Sequence, residues 1–330
     1  MSVITEDPDK PPRSPDSNGF GRLGISQVQK DCQVWNIKDV VIIHKGETAW
    51  RWHDNQTDRV GAVYSCTKSL LSALIGIAVG QGYIADLDQP ISEYFPELED
   101  ADDERKRAIR IKHLLSMTPG FDWPDFDKPY WRMKRTSDWV RFVLDQPMAH
   151  EPGEVFTYNS GGSHLLSAIL TKATGMPVYE FARERLFNKL GFRKPKWNSF
   201  GGVYEGGAGL HLSTQDMAKF GLLYLQRGQW KGEQLIPAAW VDSSTTMRHK
   251  GLLHYEPPIF GAYGYHWWIS SKEHNGKVDY YFAKGYGGQY IFVVPELELV
   301  AAIRKEPEGK NNAIYSKRLL MEHIIPNVPK

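Results

Sequence analysis

One stretch constrains the fold more than any other: Val63-Tyr64-Ser65-Cys66-Thr67-Lys68-Ser69-Leu70-Leu71-Ser72-Ala73-Leu74-Ile75-Gly76-Ile77-Ala78-Val79-Gly80. Its pattern reads as a helix that is apolar on nearly every side, and such a helix has to run through the middle of a domain. The apolar run is too short to cross a bilayer. At the first turn a serine precedes a lysine by three residues. Residues three apart share a helix face, so Ser65 Oγ and Lys68 Nζ can meet. Burial disfavours a charged amine, and the positive end of the helix pushes the same way. A neutral amine beside a hydroxyl can act as a base and make the serine a nucleophile. The spacing alone is weak, because Ser-x-x-Lys turns up about once by chance in a chain this long. The plainer alternative is a serine cap followed by a surface lysine.

The chain has 330 residues, enough for two packed units or one large domain with an insertion. Hydrophobic residues make up 41% and charged residues 24%, the balance of an ordinary globular protein. A net charge of +1 without a Lys/Arg block leaves no footprint for nucleic acid or a membrane surface. With 11 Trp and 16 Tyr, the chain has aromatic rings enough to fill a core and also line a pocket. Two cysteines, Cys32 and Cys66, cannot build a disulfide framework, and Cys66 reads as a small buried hydrophobe. Residues 1–18 are polar and Pro-rich and read as a disordered lead-in with no secretion signal, which points to a cytoplasmic location. Asn55-Gln56-Thr57 is a glycosylation sequon that matters only on a secretory route.

Strand patterns appear at 40–44 and 48–52, joined by Lys45-Gly46-Glu47 as a hairpin. Pro90 opens a short helix to Tyr94. Helices are expected at 104–116, 137–144, 163–174 and 178–186. Ser213-Thr214-Gln215-Asp216 caps a further helix that reaches Arg227. The last third is strand-like, at 265–270, 278–282, 290–294 and 298–304, and a helix near 314–323 closes the chain. Strands come first and last while helices fill the middle. The economical fold is therefore α+β: an antiparallel sheet built from N- and C-terminal strands, flanked by helices, with a mostly helical domain inserted. The corresponding units are 19–90 with 200–330 for the sheet domain, and 91–199 for the helical one.

Three separated stretches then point the same way. Ser65-Cys66-Thr67-Lys68, Tyr158-Asn159-Ser160 and Lys284-Gly285-Tyr286-Gly287-Gly288-Gln289 resemble the three active-site motifs of serine β-lactamase-related hydrolases. That superfamily includes penicillin-binding proteins, class C β-lactamases, esterases and 6-aminohexanoate-dimer hydrolases. Connecting text is similar too, in Asp88-Gln89-Pro90-Ile91-Ser92-Glu93-Tyr94-Phe95-Pro96-Glu97-Leu98, in Ile111-Lys112-His113-Leu114-Leu115-Ser116-Met117-Thr118-Pro119-Gly120 and in Gly207-Ala208-Gly209-Leu210-His211-Leu212-Ser213. The likeness covers roughly residues 35–305. In the second motif Ser160 stands where the family usually has Asn. In the third, the preferred alignment puts Gly285 at the family's glycine and Ala283 where Lys or His is common. Lys284 would then point to the opposite strand face. A slip of one residue would instead make Lys284 the motif lysine.

The resemblance implies Ser65 as nucleophile with Lys68 and Tyr158 beside it, either of which can take the proton. It also implies an oxyanion hole made by the backbone N–H groups of Ser65 and Tyr286. Ser160, Lys284, Gly285 and Gly287 would contact substrate, and the glycines let a carbonyl come close. Trp123 and Trp131, in the aromatic stretch 121–131, are candidates for a pocket wall, or alternatively part of an aromatic clamp that packs the helical domain. Trp267 and Trp268 alternate on a strand, so at most one faces a site. Ser137-Asp138-Trp139 imitates a Ser-Asp-Asn element but reads as a helix cap.

Gly19-Phe20-Gly21-Arg22-Leu23-Gly24 matches a dinucleotide fingerprint yet follows no strand, so no cofactor is expected. The 11 histidines form no ligand motif, so no metal is expected either. Two readings remain. The first is a hydrolase of a small-molecule ester or amide working through an acyl-enzyme. The second is a silent relative that binds or scaffolds, or a penicillin-binding peptidase or β-lactamase. Absence of the usual third-motif cation favours neutral substrates, unless Lys284 turns inward.

Overall fold

The computed structural model describes residues 22–54, 57–124, 128–308 and 311–328. The proposed lead-in, the Asn55-Gln56 part of the sequon and residues 125–127 of the aromatic stretch lie outside them. Its centre is an antiparallel sheet of seven strands: β1 (Ile37–His44), β2 (Glu47–His53), β3 (Ala262–Tyr263), β4 (Trp268–Ser270), β5 (Tyr280–Gly285), β6 (Gln289–Val294) and β7 (Leu299–Lys305). The spatial order is β3-β4-β5-β6-β7-β1-β2. The N-terminal hairpin joins the C-terminal strands through β1 against β7, with Val40 opposite Ile303 and Ile42 opposite Ala301. The sheet is thus built from both ends of the chain.

Strands β1, β6 and β7 are buried along nearly their whole length, because both faces of the sheet are covered. Side chains alternate across the pleat. Val40, Ile42, Phe292 and Ile303 face α1 (Arg22–Val34) and the C-terminal helical segments, where Cys32, Leu319 and Leu320 meet them. Val41, Ile43, Ile291 and Ala302 face the other way, toward α2 (Cys66–Gly80) and α4 (Thr214–Leu225). Beyond α2 lies α3 (Ser160–Thr174) with the shorter helices of the middle segment. Residues from Cys66 to Ala78 are all buried, so the all-round apolar pattern is matched by a helix with protein on every side.

Several boundaries differ from the sequence pattern for local reasons. Helix 104–116 is two pieces, a 3-10 turn Glu104–Ala108 and an α-helix Ile111–Leu115. Between them Ile109 is extended, and its carbonyl accepts from Ile91 N. Helix α3 starts at Ser160 rather than 163, because the Asn159 side chain accepts from Gly162 N at 2.8 Å and caps it there. Strand β4 begins only at Trp268, after a bend at 264–266 in which His266 has φ 60°. Helix α1 and the helix Ala238–Ser244 carried no signal that we read. Asp138 does cap its helix, accepting from Arg141 N at 2.9 Å.

Helix α4 lies on the sheet at a glycine. A Cβ on Gly221 would come within 2.6 Å of Val300 and 2.8 Å of Ile291. A Gly221→Leu variant should therefore lose roughly 1–3 kcal/mol through overpacking, despite its better helix propensity. Urea unfolding checks this, and an unchanged midpoint would mean that the helix does not press on the sheet there.

Candidate active site

Ser65 lies at the N-terminus of α2, at the end of a chain turn that is itself strained. Tyr64 has φ 47°, a left-handed conformation uncommon for an aromatic residue and held only by its surroundings. The restraint comes from Thr67, whose hydroxyl donates to Tyr64 O at 2.6 Å and accepts from Leu210 N at 3.1 Å. Strand Leu210–Leu212 pairs with Gly61–Ala62, so both sides of the turn are tied to one ribbon.

Lys68 is 1% exposed. Its Nζ lies 3.1 Å from Ser65 Oγ, 2.9 Å from Ser160 Oγ and 2.8 Å from Gly207 O. As an ammonium it donates to all three. As a neutral amine it can donate to Gly207 O and Ser160 Oγ while its lone pair accepts the Ser65 proton. The same geometry serves both protonation states. The ammonium position is also 4.8 Å from the ring centroid of Tyr158, which stacks on Trp268 at 5.6 Å. Ser65, Lys68, Tyr158 and Ser160 are thus brought together from α2 and the start of α3. Asn159 turns away as the α3 cap.

The end of β5 approaches from the other side. A Cβ on Gly285 would fall 2.2 Å from the carbonyl oxygen of Val63, so only glycine permits this approach. It carries Tyr286 to the mouth of the site, where its ring meets Tyr64 edge-on at 5.7 Å. Among the described residues, no backbone carbonyl accepts from the N–H of Ser65 or of Tyr286.

These groups open into a cleft of about 560 Å³. One wall is aromatic: Tyr255, Phe260, Trp268 and Tyr158. The other carries Tyr130, Trp131, Lys134 and Glu205. Trp131 is 64% exposed at this rim, whereas Trp123 is 1% exposed and lies against Gly161 in the helical core. Trp123 is therefore a core residue, because its helix-packing face is closed off by α3. Trp268 faces the cleft and Trp267 the opposite core, as the alternation requires.

Ala283 does pack beneath the sheet with Ile291, on the face opposite Lys284. That opposite face is the cleft itself: Lys284 lines it, with Nζ 4.4 Å from the Phe260 ring centroid. Lys284 thus lies on the strand face that the alternation predicts, opposite Ala283, and it is this face that borders the cleft.

Sequence reading missed Glu205 and His266. Glu205 is buried in the cleft wall, accepting from the Tyr130 hydroxyl and pairing with Lys134 at 3.1 Å. His266 lies directly under α2. Its Nδ1 donates to Lys68 O at 3.2 Å, and Nε2 is 3.2 Å from Ser163 Oγ. Neither belongs to a motif, and only tertiary contact singles them out. Burial, with Lys68 adding to it, pushes His266 down to about 3, so the ring is neutral. Burial pushes the Cys66 thiol up despite Lys284 and Lys68 nearby, which leaves it inert as a nucleophile. Among the described residues Asp39, His53 and Asp58 gather closely enough to suggest a cation. Asp58 is committed to the Thr214 and Gln215 amides at the start of α4, and Asp39 to His53 and Arg304, so the cluster is a helix cap and ion pair.

The chain belongs to the Beta-lactamase family, whose model matches residues 38–313, and it has that family's hydrolase fold. A 6-aminohexanoate-dimer hydrolase of Paenarthrobacter ureafaciens is 25% identical over 256 residues, 72% of this chain and 63% of that one. EstCE1, a hydrolase with promiscuous acyltransferase activity, superposes with TM-score 0.76 at 16% identity, covering 92% of this chain and 98% of that one. An octameric penicillin-binding protein homologue from Pyrococcus abyssi gives TM-score 0.72 at 18% identity, covering 91% and 77%. At these identities the structural likeness speaks to the fold alone. Among the described residues no helix is long and apolar enough to cross a membrane.

His266 makes acid stability a test of the packing under α2. Its folded value is about 3 against an ordinary 6.5, so below about pH 6.5 the unfolded chain takes up a proton that the folded one refuses. The stabilisation it gives is complete above 6.5 and falls as pH drops toward 3. Urea midpoints should decline across that window, and less steeply in a His266→Gln variant. Equal slopes would place the ring in contact with water.

Proposed function

We propose that the protein is a serine hydrolase that cleaves an ester or amide through an acyl-enzyme on Ser65. The observation that carries this reading is the Lys68 amine, buried and within 3.1 Å of Ser65 Oγ. Neutral Lys68 takes the Ser65 proton as Oγ bonds to the substrate carbonyl carbon. The N–H groups of Ser65 and Tyr286 receive the oxyanion. As the C–O or C–N bond breaks, the proton returns from Lys68 to the leaving group, with Ser160 Oγ at 2.9 Å as the relay. Water then repeats the sequence on the acyl-enzyme. Tyr158 contributes its ring face to the ammonium at 4.8 Å, which stabilises the protonated intermediate state of Lys68.

The apolar wall suits the acyl or alcohol portion of a small substrate. Lys284 turns inward, so the argument against carboxylated substrates falls away, and amide substrates such as that named for the Paenarthrobacter relative stand beside esters.

Wild type and Ser65→Ala should be compared on p-nitrophenyl butyrate and nitrocefin, following product and intact mass. Ester turnover should fall at least about a thousandfold in Ser65→Ala, and by roughly 10²–10⁴-fold in Lys68→Met. Neither turnover nor added mass on either compound in the wild type would favour a silent binding protein. A stable adduct without turnover would indicate a penicillin-binding type.

A further inference from the structure

The aromatic wall of the cleft is held from behind by a residue far from the chemistry. Residues 255–260, Tyr255-Glu256-Pro257-Pro258-Ile259-Phe260, form a strap whose Tyr255, Ile259 and Phe260 line the cleft. Three successive strap carbonyls have partners underneath. Lys317 Nζ donates to Pro258 O and, at 3.5 Å, to Phe260 O, while the Tyr290 hydroxyl donates to Ile259 O at 3.1 Å. Lys317 comes from the C-terminal helix Ile314–Arg318 and is buried against the rings of Tyr280 and Phe282, 5.9 and 5.6 Å away. Its neighbour Ser316 donates to Gly288 O at 2.8 Å, so the same helix also grips the turn that carries Tyr286.

A lysine is costly to bury, and among the described residues no carboxylate forms an ion pair with this one. Its donors go to strap carbonyls instead, which gives the burial a purpose that packing alone does not. We infer that Lys317 is a positioning residue for the cleft: it holds the 255–260 strap in place and thereby sets the depth of the aromatic wall and the length of acyl group accepted. This deepens the hydrolase reading, and its activity arm rests on that reading.

The sign of the pH effect follows from linkage. Burial pushes Lys317 down to about 8, opposed only by Glu256 on the strap; buried Tyr280 and Tyr290 are pushed up and remain neutral phenols. A strap lifted away would return the amine to water and toward its ordinary 10.5, so seating the strap releases a proton. The neutral amine keeps two donors for the two carbonyls. Raising the pH through 8 therefore seats the strap more firmly.

Hydrogen exchange of peptides spanning 250–262, in wild type, Lys317→Met, Lys317→Gln and Lys317→Arg, tests this without needing turnover. Exchange in the strap should quicken about tenfold in Lys317→Met, the effect of one lost buried hydrogen bond, while peptides of α2 stay unchanged. Lys317→Arg should restore most of the protection, and Lys317→Gln carries the same comparison should Met fail to fold. On p-nitrophenyl octanoate, KM should rise about tenfold in Lys317→Met with kcat little changed, and p-nitrophenyl acetate should be unaffected. Wild-type KM for octanoate should fall from about pH 7 to about pH 9 relative to acetate, and the variant should lose that trend. Unchanged strap exchange in both Met and Gln variants overturns the inference. Quickened exchange in a protein that turns over no ester would leave the strap anchor standing and remove the hydrolase reading.

Discussion

A helix that is apolar all round has to be covered all round, and the rest of the molecule is arranged to do so. The sheet covers one side of Cys66–Gly80, α3 another, and the bend at 264–266 a third. The small polar groups on that helix are satisfied by the cover itself. Ser69 donates to His266 O at 2.6 Å and Ser72 to Tyr265 O at 2.8 Å. Just before its first turn, at half-buried Ser65, the cover gives way to the cleft, and there the buried amine of Lys68 meets the hydroxyl of Ser65. The site is the place where an otherwise closed packing problem has been left open to the cleft.

That opening depends on backbone positions that are individually unfavourable. Tyr64 and His266 both adopt positive φ without being glycine, and Gly285 tolerates a contact no other residue could. Each is fixed by its neighbours: Thr67, itself tied to Leu210, beside Tyr64, Ser163 and Lys68 around His266, and Val63 against Gly285. Strain gathered around Ser65 and its facing strand end is the arrangement expected of a preorganised site.

The chain belongs to the Beta-lactamase family, and in its cleft Ser65, Lys68, Tyr158 and Ser160 meet. Ser160 reaches Lys68, and Lys284 lines the cleft over the Phe260 ring. The cleft has an aromatic wall anchored from the C-terminal helix and a facing wall where buried Glu205 pairs with Lys134 and accepts from the Tyr130 hydroxyl.

The sequence by itself determined the elements whose signal is local or periodic. The buried helix, the strands at both ends, the Asp138 and Ser213 caps and the spacing of Ser65 to Lys68 depend on side-chain period and on hydrogen bonds a few residues away. Tertiary structure alone decided which side of a residue meets which neighbour. Of the two readings open for Trp123, pocket wall or core clamp, the fold decides for core, because α3 closes over it at Gly161. Lys284 sits on the strand face the alternation predicts, yet that face is the cleft, since the strap 255–260 and Trp268 rise beside it. Glu205, His266 and Lys317 gave no motif, because their roles come from contacts across dozens to hundreds of residues. Period and spacing report the local chain, whereas burial and charge at a site are properties of what the rest of the chain brings to it.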